Sequence, residues 1–156
     1  MEETISALGL DLGRKRIGVA GCDRLGLLAT GLTTLEGLAF PELVVKLREL
    51  IRDREVQILV VGMPYTLDGQ VGNQARKVQS FAQRLSRALD LPVEYVDERL
   101  TSFHAEQMMV AEGKSPARHK ALIDRKAAAL ILQQWLDHRA AAPARTPLPP
   151  SVGDSA

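Results

Sequence analysis

The sequence predicts an α/β fold, a mixed five-stranded sheet with helices on both faces. Three observations lead there. Three strand-like runs open the chain back to back, at about residues 5–12, 16–22 and 26–35. Strands and helices then alternate through the second half, which implies parallel pairing there and antiparallel pairing in the opening meander. The run Val56-Gln57-Ile58-Leu59-Val60-Val61-Gly62 is short and nearly all apolar, as suits the middle of a sheet covered on both faces.

Each element has a local reason. Short glycine-containing or charged turns separate the first three strands. Leu43, Leu47, Leu50 and Ile51 then fall on one helical stripe, and Pro41 suits the first turn of that helix. After the apolar strand comes a polar loop, residues 63–72. A second helix follows, carrying Ala75, Val78, Ala82, Leu85 and Leu89 at helical spacing. Leu91-Pro92 breaks it, and residues 93–96 form a fifth strand. Thr101-Ser102 offers an N-cap for a helix with Ala105, Met108 and Met109. A basic loop, residues 113–120, leads to a last helix over about 121–138. The expected order is βββαβαβαα.

The chain of 156 residues suits one domain, placed at 1–139, and is long enough to bury a core without disulfides. Residues 140–156 hold four of the eight prolines and no periodicity, which reads as a disordered tail. Cys22 is the only cysteine, so there is no disulfide framework, and its apolar flank suggests a small buried residue. The net charge of +1 excludes a generally basic protein, so any nucleic-acid contact must come from local clusters. The acidic N-terminus lacks a signal-peptide pattern, and no apolar run is long enough for a bilayer. A cytoplasmic location with no membrane partner is expected.

Asp11 is the residue that points to chemistry. It sits in an otherwise apolar strand, Ala7-Leu8-Gly9-Leu10-Asp11-Leu12-Gly13, where an isolated carboxylate is costly to bury. Arg14, Lys15 and Arg16 follow at once. A structural Asp capping the Gly13 turn is the plain alternative. Asp97-Glu98-Arg99 stands at the end of the fifth strand, and ligands of open α/β sheets bind beyond the carboxyl ends of strands. Asp124 lies four, seven and eleven residues before Ala128, Ile131 and Trp135, on the inward stripe of the last helix. The small Ala127 and Ala128 would let that end of the helix approach the sheet.

Three carboxylates at element ends, without thiol or imidazole clusters, match hard cations such as Mg²⁺ or Mn²⁺. His104, His119 and His138 are scattered and read as surface or capping residues. Two such ions about 4 Å apart can activate a water and stabilise the leaving oxygen in phosphodiester hydrolysis. Cations gather beside the acids: Arg14, Lys15 and Arg16 by the first, Arg99 by the second, and Lys114, Arg118, Lys120 and Arg125, with Lys126, around the third. Such clusters bind phosphates without reading sequence. These residues are the candidate substrate contacts, and the loop 113–120 is a candidate backbone clamp.

These motifs resemble the YqgF (RuvX) family in order and over nearly all of residues 5–138. The carriers are Gly9-Leu10-Asp11-Leu12-Gly13-Arg14-Lys15-Arg16-Ile17-Gly18-Val19-Ala20, then Val60-Val61-Gly62-Met63-Pro64 with Asp68-Gly69. Asp97-Glu98-Arg99-Leu100-Thr101-Ser102 is the most specific part, and Asp124 with residues 127–132 completes the set. The resemblance implies an RNase H-like fold and a nuclease of precursor 16S rRNA, with Holliday-junction resolution as the older proposal for the family. It implies Asp11, Glu98 and Asp124 as catalytic, metal-binding acids, with Asp97 as the alternative to Glu98. Met63, Ser102 and the proline-rich tail depart from the family pattern without touching the acids.

The expected function is metal-dependent hydrolysis of phosphodiester bonds, in 5′ processing of precursor 16S rRNA. The expected partner is nucleic acid: precursor rRNA, or branched or single-stranded DNA in recombination and repair. The protein would be a monomer or weak homodimer. A non-catalytic nucleic-acid-binding regulator is the competing class, separated by metal-dependent cleavage. A phosphate-binding module of the actin and sugar-kinase type would need a second phosphate loop and domain, for which 156 residues leave no room.

Overall fold

The computed structural model describes residues 4–98, 107–114 and 119–141. Its elements run β1 (Ala7–Leu12), β2 (Arg16–Cys22), β3 (Ala29–Glu36), α1 (Phe40–Arg54), β4 (Ile58–Met63), α2 (Asn73–Leu89), β5 (Val93–Asp97) and α3 (Lys120–Ala141). Residues 107–111 are also helical. The five strands form one sheet in the order β3-β2-β1-β4-β5. β1 pairs antiparallel with β2, and β2 with β3, while β4 is parallel to both β1 and β5. The mixed sheet expected from the sequence is therefore present, with β1 at its centre between β2 and β4.

Side-chain alternation along each strand divides the molecule into two layers. Leu8, Leu10, Ile17, Val19, Leu59, Val61 and Met63 face α1 and α2, whose stripes of Leu43, Leu47, Ala75, Val78, Ala82 and Leu85 complete the larger core. Ala7, Ala20, Cys22, Val60 and Val96 face the other way, against Ala128, Ile131, Leu132, Trp135 and Leu136 of α3. Helices thus cover both faces. The α2 stripe read from spacing, Ala75 to Leu89, is buried at all five positions.

The helix ends follow local chemistry. Pro41 lies in the first turn of α1, and Glu42 Oε1 accepts the N–H of Ala39 at 3.0 Å. α1 and α2 each stop at a residue in the left-handed region, Glu55 and Asp90. Thr34 Oγ1 donates to the carbonyl of Ala121 at 2.5 Å, tying the start of α3 to β3.

Several boundaries differ from expectation, and β1 begins at Ala7, not at Ile5. β3 begins at Ala29, not at Gly26. Asp23 accepts the backbone N–H groups of Leu25, Leu27 and Leu28 at 3.2, 2.8 and 2.8 Å, so the carboxylate organises a hairpin loop and leaves those three leucines exposed. β4 begins two residues late because the N–H of Val56 still bonds the carbonyl of Ile51 at the end of α1. α3 runs on to Ala141, past the expected His138. The Thr101-Ser102 cap, Ala105 and residues 142–156 of the tail lie outside the described residues. Among the described residues, no helix is long and apolar enough to cross a membrane.

Candidate active site

The three acids come from three elements that meet at one end of the sheet. Asp11 is on the last turn of β1 toward its carboxyl end, on the face that carries α3. Its pairing partner across β2 is Gly18. A Cβ at Gly18 would run into the Asp124 carbonyl oxygen and lie 3.2 Å from the Asp124 Cα. Only a glycine lets the first turns of α3 sit directly on β2 there. That contact brings the Asp124 backbone over the strand that pairs with Asp11.

β5 places the second acid. Val93 and Tyr95 face the α1 and α2 layer, whereas Val96 faces α3 and Glu94 reaches Trp135 Nε1 at 2.8 Å. By this alternation Asp97 belongs to the α1 and α2 side and Glu98 to the α3 side, with Asp11. The N–H of Glu98 is held by the Met63 carbonyl at 3.1 Å. A Cβ at Gly62 would stand 2.8 Å from the Glu98 Cβ and 2.5 Å from Ile131 Cδ1. Gly62 thus leaves the space into which Glu98 folds.

The electrostatics record the crowding. Burial, with the negative field of Asp124, pushes the Asp11 carboxyl up from 3.8 to about 6. Burial, then Asp11 and Asp97, push Glu98 up from 4.5 to about 7. Asp124 instead accepts a hydrogen bond from Arg16 Nε at 2.6 Å, within a half-buried ion pair. Among the described residues, no three His, Cys, Asp or Glu side chains stand close enough to hold one ion. The donor set nevertheless fits a divalent cation: carboxylate oxygens only, on one face, two of them raised by burial and by neighbouring carboxylates.

A family profile described as RuvX, Holliday junction resolvase, matches residues 5–138. The chain belongs to the RuvX family. Its relatives include proteins named "Putative pre-16S rRNA nuclease" from Trichormus variabilis, 66% identical over 139 residues that cover 89% of this chain and 92% of the relative. One of the same name from Crocosphaera subtropica is 60% identical over 139 residues, 89% of this chain and 97% of the relative. The fold is similar to that of Thermus thermophilus RuvC solved with a Holliday junction substrate, at a TM-score of 0.54 and 15% identity over 88% of this chain and 97% of the other.

In this RuvX-family protein the candidate substrate cations divide into groups. Arg14 and Lys15 form the exposed turn directly after β1, and Arg16 is engaged with Asp124. Arg125 points away from Asp11. Its Cβ packs 3.0 Å from where a Gly31 side chain would begin, and it lines a groove with Met108 and Leu130. Lys114 and Lys126 both pair with Glu112, at 3.5 and 3.6 Å. Glu112, just before the basic loop, therefore neutralises part of the cluster, a partner the cation count overlooked. Lys120 is exposed at the start of α3. Arg99 and Arg118 lie outside the described residues.

The glycine seats were also overlooked as functional positions. Gly9, Gly18, Gly31 and Gly62 all meet α3 on the same face of the sheet, where a side chain would collide with Leu132, Asp124, Arg125 and Ile131 in turn. Glycines recurring inside otherwise apolar strands were the available signal of a close approach.

Proposed function

We propose that this protein is a metal-dependent nuclease that hydrolyses phosphodiester bonds and acts in processing the 5′ end of precursor 16S rRNA. What supports this reading is that Asp11 and Glu98 lie on the α3 face of the sheet end, Asp11 in the field of Asp124 and Glu98 in that of Asp11, with their carboxyls raised to about 6 and about 7 by burial and neighbouring carboxylates. A fold has no structural use for such a group of acids, and the cost of assembling it is recovered when a cation binds. The rRNA assignment rests on the names borne by the relatives.

Asp11, Glu98 and Asp124 would hold Mg²⁺ or Mn²⁺. The bound ion supplies an acidified water and charge neutralisation at the leaving oxygen. The protein's own groups do the rest. Gly18 and Gly62 fix the backbone separations among the acids. Arg16 holds the Asp124 carboxylate in the metal-free protein, and its remaining guanidinium N–H groups stand ready for a phosphate oxygen. Arg14 and Lys15 meet the flanking backbone, which holds a strand in place without selecting bases. The acting unit is a monomer or weak homodimer.

Purified protein incubated with precursor 16S rRNA fragments, single strands and four-way junctions, with Mg²⁺ or Mn²⁺, tests the reading. Cleavage of the precursor is expected, abolished by EDTA and reduced by orders of magnitude in Asp11→Asn. Cleavage undiminished in EDTA and in the variant would refute metal-dependent catalysis at these acids. Paired cuts in the junction with the precursor left intact would move the substrate to branched DNA.

A further inference from the structure

On the opposite face of the sheet end lies a cleft of about 1030 Å³ that the acids do not use. Its floor is apolar, built from Leu12, Ile17, Leu35 and Val78. Its wall carries two aromatic rings, Phe40 and Phe81, packed edge to face at 5.7 Å. Both rings are only partly buried, although they belong to the edge of the main core. Arg14, Lys15 and Lys77 stand on its rim against one acid, Glu36. Among the described residues, no ion pair engages these three cations. The rim also includes Asn73 and Gln74, in the first turn of α2, whose N-cap Gly72 brings no side chain to the free N–H groups.

We propose that this cleft receives one unstacked nucleobase of the substrate strand, next to the phosphodiester lying over the acids. The proposal rests on the nuclease reading above. The chemistry of the cleft is that of a nucleotide: ring surface and aliphatic floor for a base, and unpaired cations with backbone N–H groups at the mouth for its phosphate. Its position ties it to the acids. Leu12, on the cleft floor, follows Asp11 in β1, and consecutive strand residues face opposite sides. Arg14 and Lys15 cap the strand end between the two faces. A strand held by that turn presents a phosphate to one face and its neighbouring base to the other. A duplex stacks its bases internally and has none to offer, so the cleft selects single-stranded or opened substrate.

The test is an abasic scan. A short single-stranded RNA is prepared intact and with one abasic site at each position in turn, and binding is measured with Ca²⁺ in place of Mg²⁺. Wild-type protein is expected to lose about tenfold in affinity at one position and little at the others. Phe81→Leu, which keeps apolar volume but removes the ring, is expected to weaken the intact strand by a similar factor and to flatten the scan. Lys77→Ala, on the exposed rim, should leave the scan's shape intact and make the salt dependence shallower. A flat scan in wild type, or an unaltered scan in Phe81→Leu, would overturn the proposal. AMP binding in the cleft alongside a flat scan would assign it to a free nucleotide instead. Cleavage by the same wild-type protein in Mg²⁺ separates the two ideas. Cleavage with a flat scan removes only the base site, whereas no binding and no cleavage removes the nuclease reading with it.

Discussion

Arg16 Nε donates to Asp124 Oδ2 at 2.6 Å, joining the start of β2 to the first turns of α3 across 108 residues of chain. The guanidinium occupies the carboxylate that a divalent cation would need, so the two cations compete for Asp124. Removing the arginine should free the acid for metal while leaving a half-buried carboxylate unpaired. Arg16→Ala is expected to bind Mn²⁺ several-fold more tightly by calorimetry and to unfold at a lower urea concentration when metal-free. Cleavage should nonetheless fall, because the variant also lacks a phosphate contact. Unchanged Mn²⁺ affinity would show that Arg16 does not guard Asp124.

The raised carboxyls make metal-free stability depend on pH, and the sign is fixed. Below about pH 4 both folded and unfolded chains hold these protons. As pH climbs past 3.8 and 4.5, the unfolded chain ionises Asp11 and Glu98 while the folded chain resists until about 6 and about 7. Stability from these groups is therefore lost between roughly pH 4 and pH 7 as pH rises. Urea unfolding in EDTA should give Asp11→Asn a gain over wild type at pH 8 that shrinks toward pH 4.5. Saturating Mg²⁺ should erase the wild type's deficit at pH 8. A variant equally or less stable than wild type at pH 8 would contradict the electrostatic account.

Gly18 is predicted to be the least replaceable glycine of the sheet. A methyl there meets the backbone of α3 at Asp124, which cannot rotate away as a side chain end can. Gly18→Ala should cost about 3 kcal/mol, at the upper end for overpacking, and should lower cleavage beyond the loss of folded protein by displacing Asp124. Gly37→Ala provides the comparison. Gly37 has a φ of +70° and open space around it, so its replacement costs only backbone strain, about 1 kcal/mol. Equal costs at the two positions would mean that α3 does not press on β2 as described.

Periodicity exposed most of the fold because each helix and strand buries one side. The α2 stripe from Ala75 to Leu89 and the all-apolar β4 are such cases. Where a polar group organised the backbone, pattern misled. Asp23 turned the apolar run through Leu28 into a loop, since three N–H bonds to one carboxylate outweigh what those leucines could gain as an isolated strand extension. At the site, the odd acids were legible from their positions, in an apolar strand, at a strand end and on an inward helical stripe. The assignment of Glu98 over Asp97 to the Asp11 face needed the register of β5, in which Val96 faces α3. The pairing of Arg16 with Asp124 spans most of the chain, and no local pattern encodes it.

The cations divide into engaged and free, and salt dependence should divide with them. Lys114 shares Glu112 with Lys126, so its charge is partly spent before any phosphate arrives. Arg14 and Lys15 are exposed on the turn beside Asp11, with no ion pair among the described residues. Each full phosphate contact on a single strand contributes about 0.7 to the slope of log affinity against log salt. Arg14→Ala with Lys15→Ala should therefore make the slope shallower by about 1.4, and Lys114→Ala by clearly less than 0.7. Measuring single-strand RNA binding across a salt series with each variant decides it. If Lys114→Ala produced the larger change, the phosphates would run along the segment before α3, and the strand would not cross the β1–β2 turn.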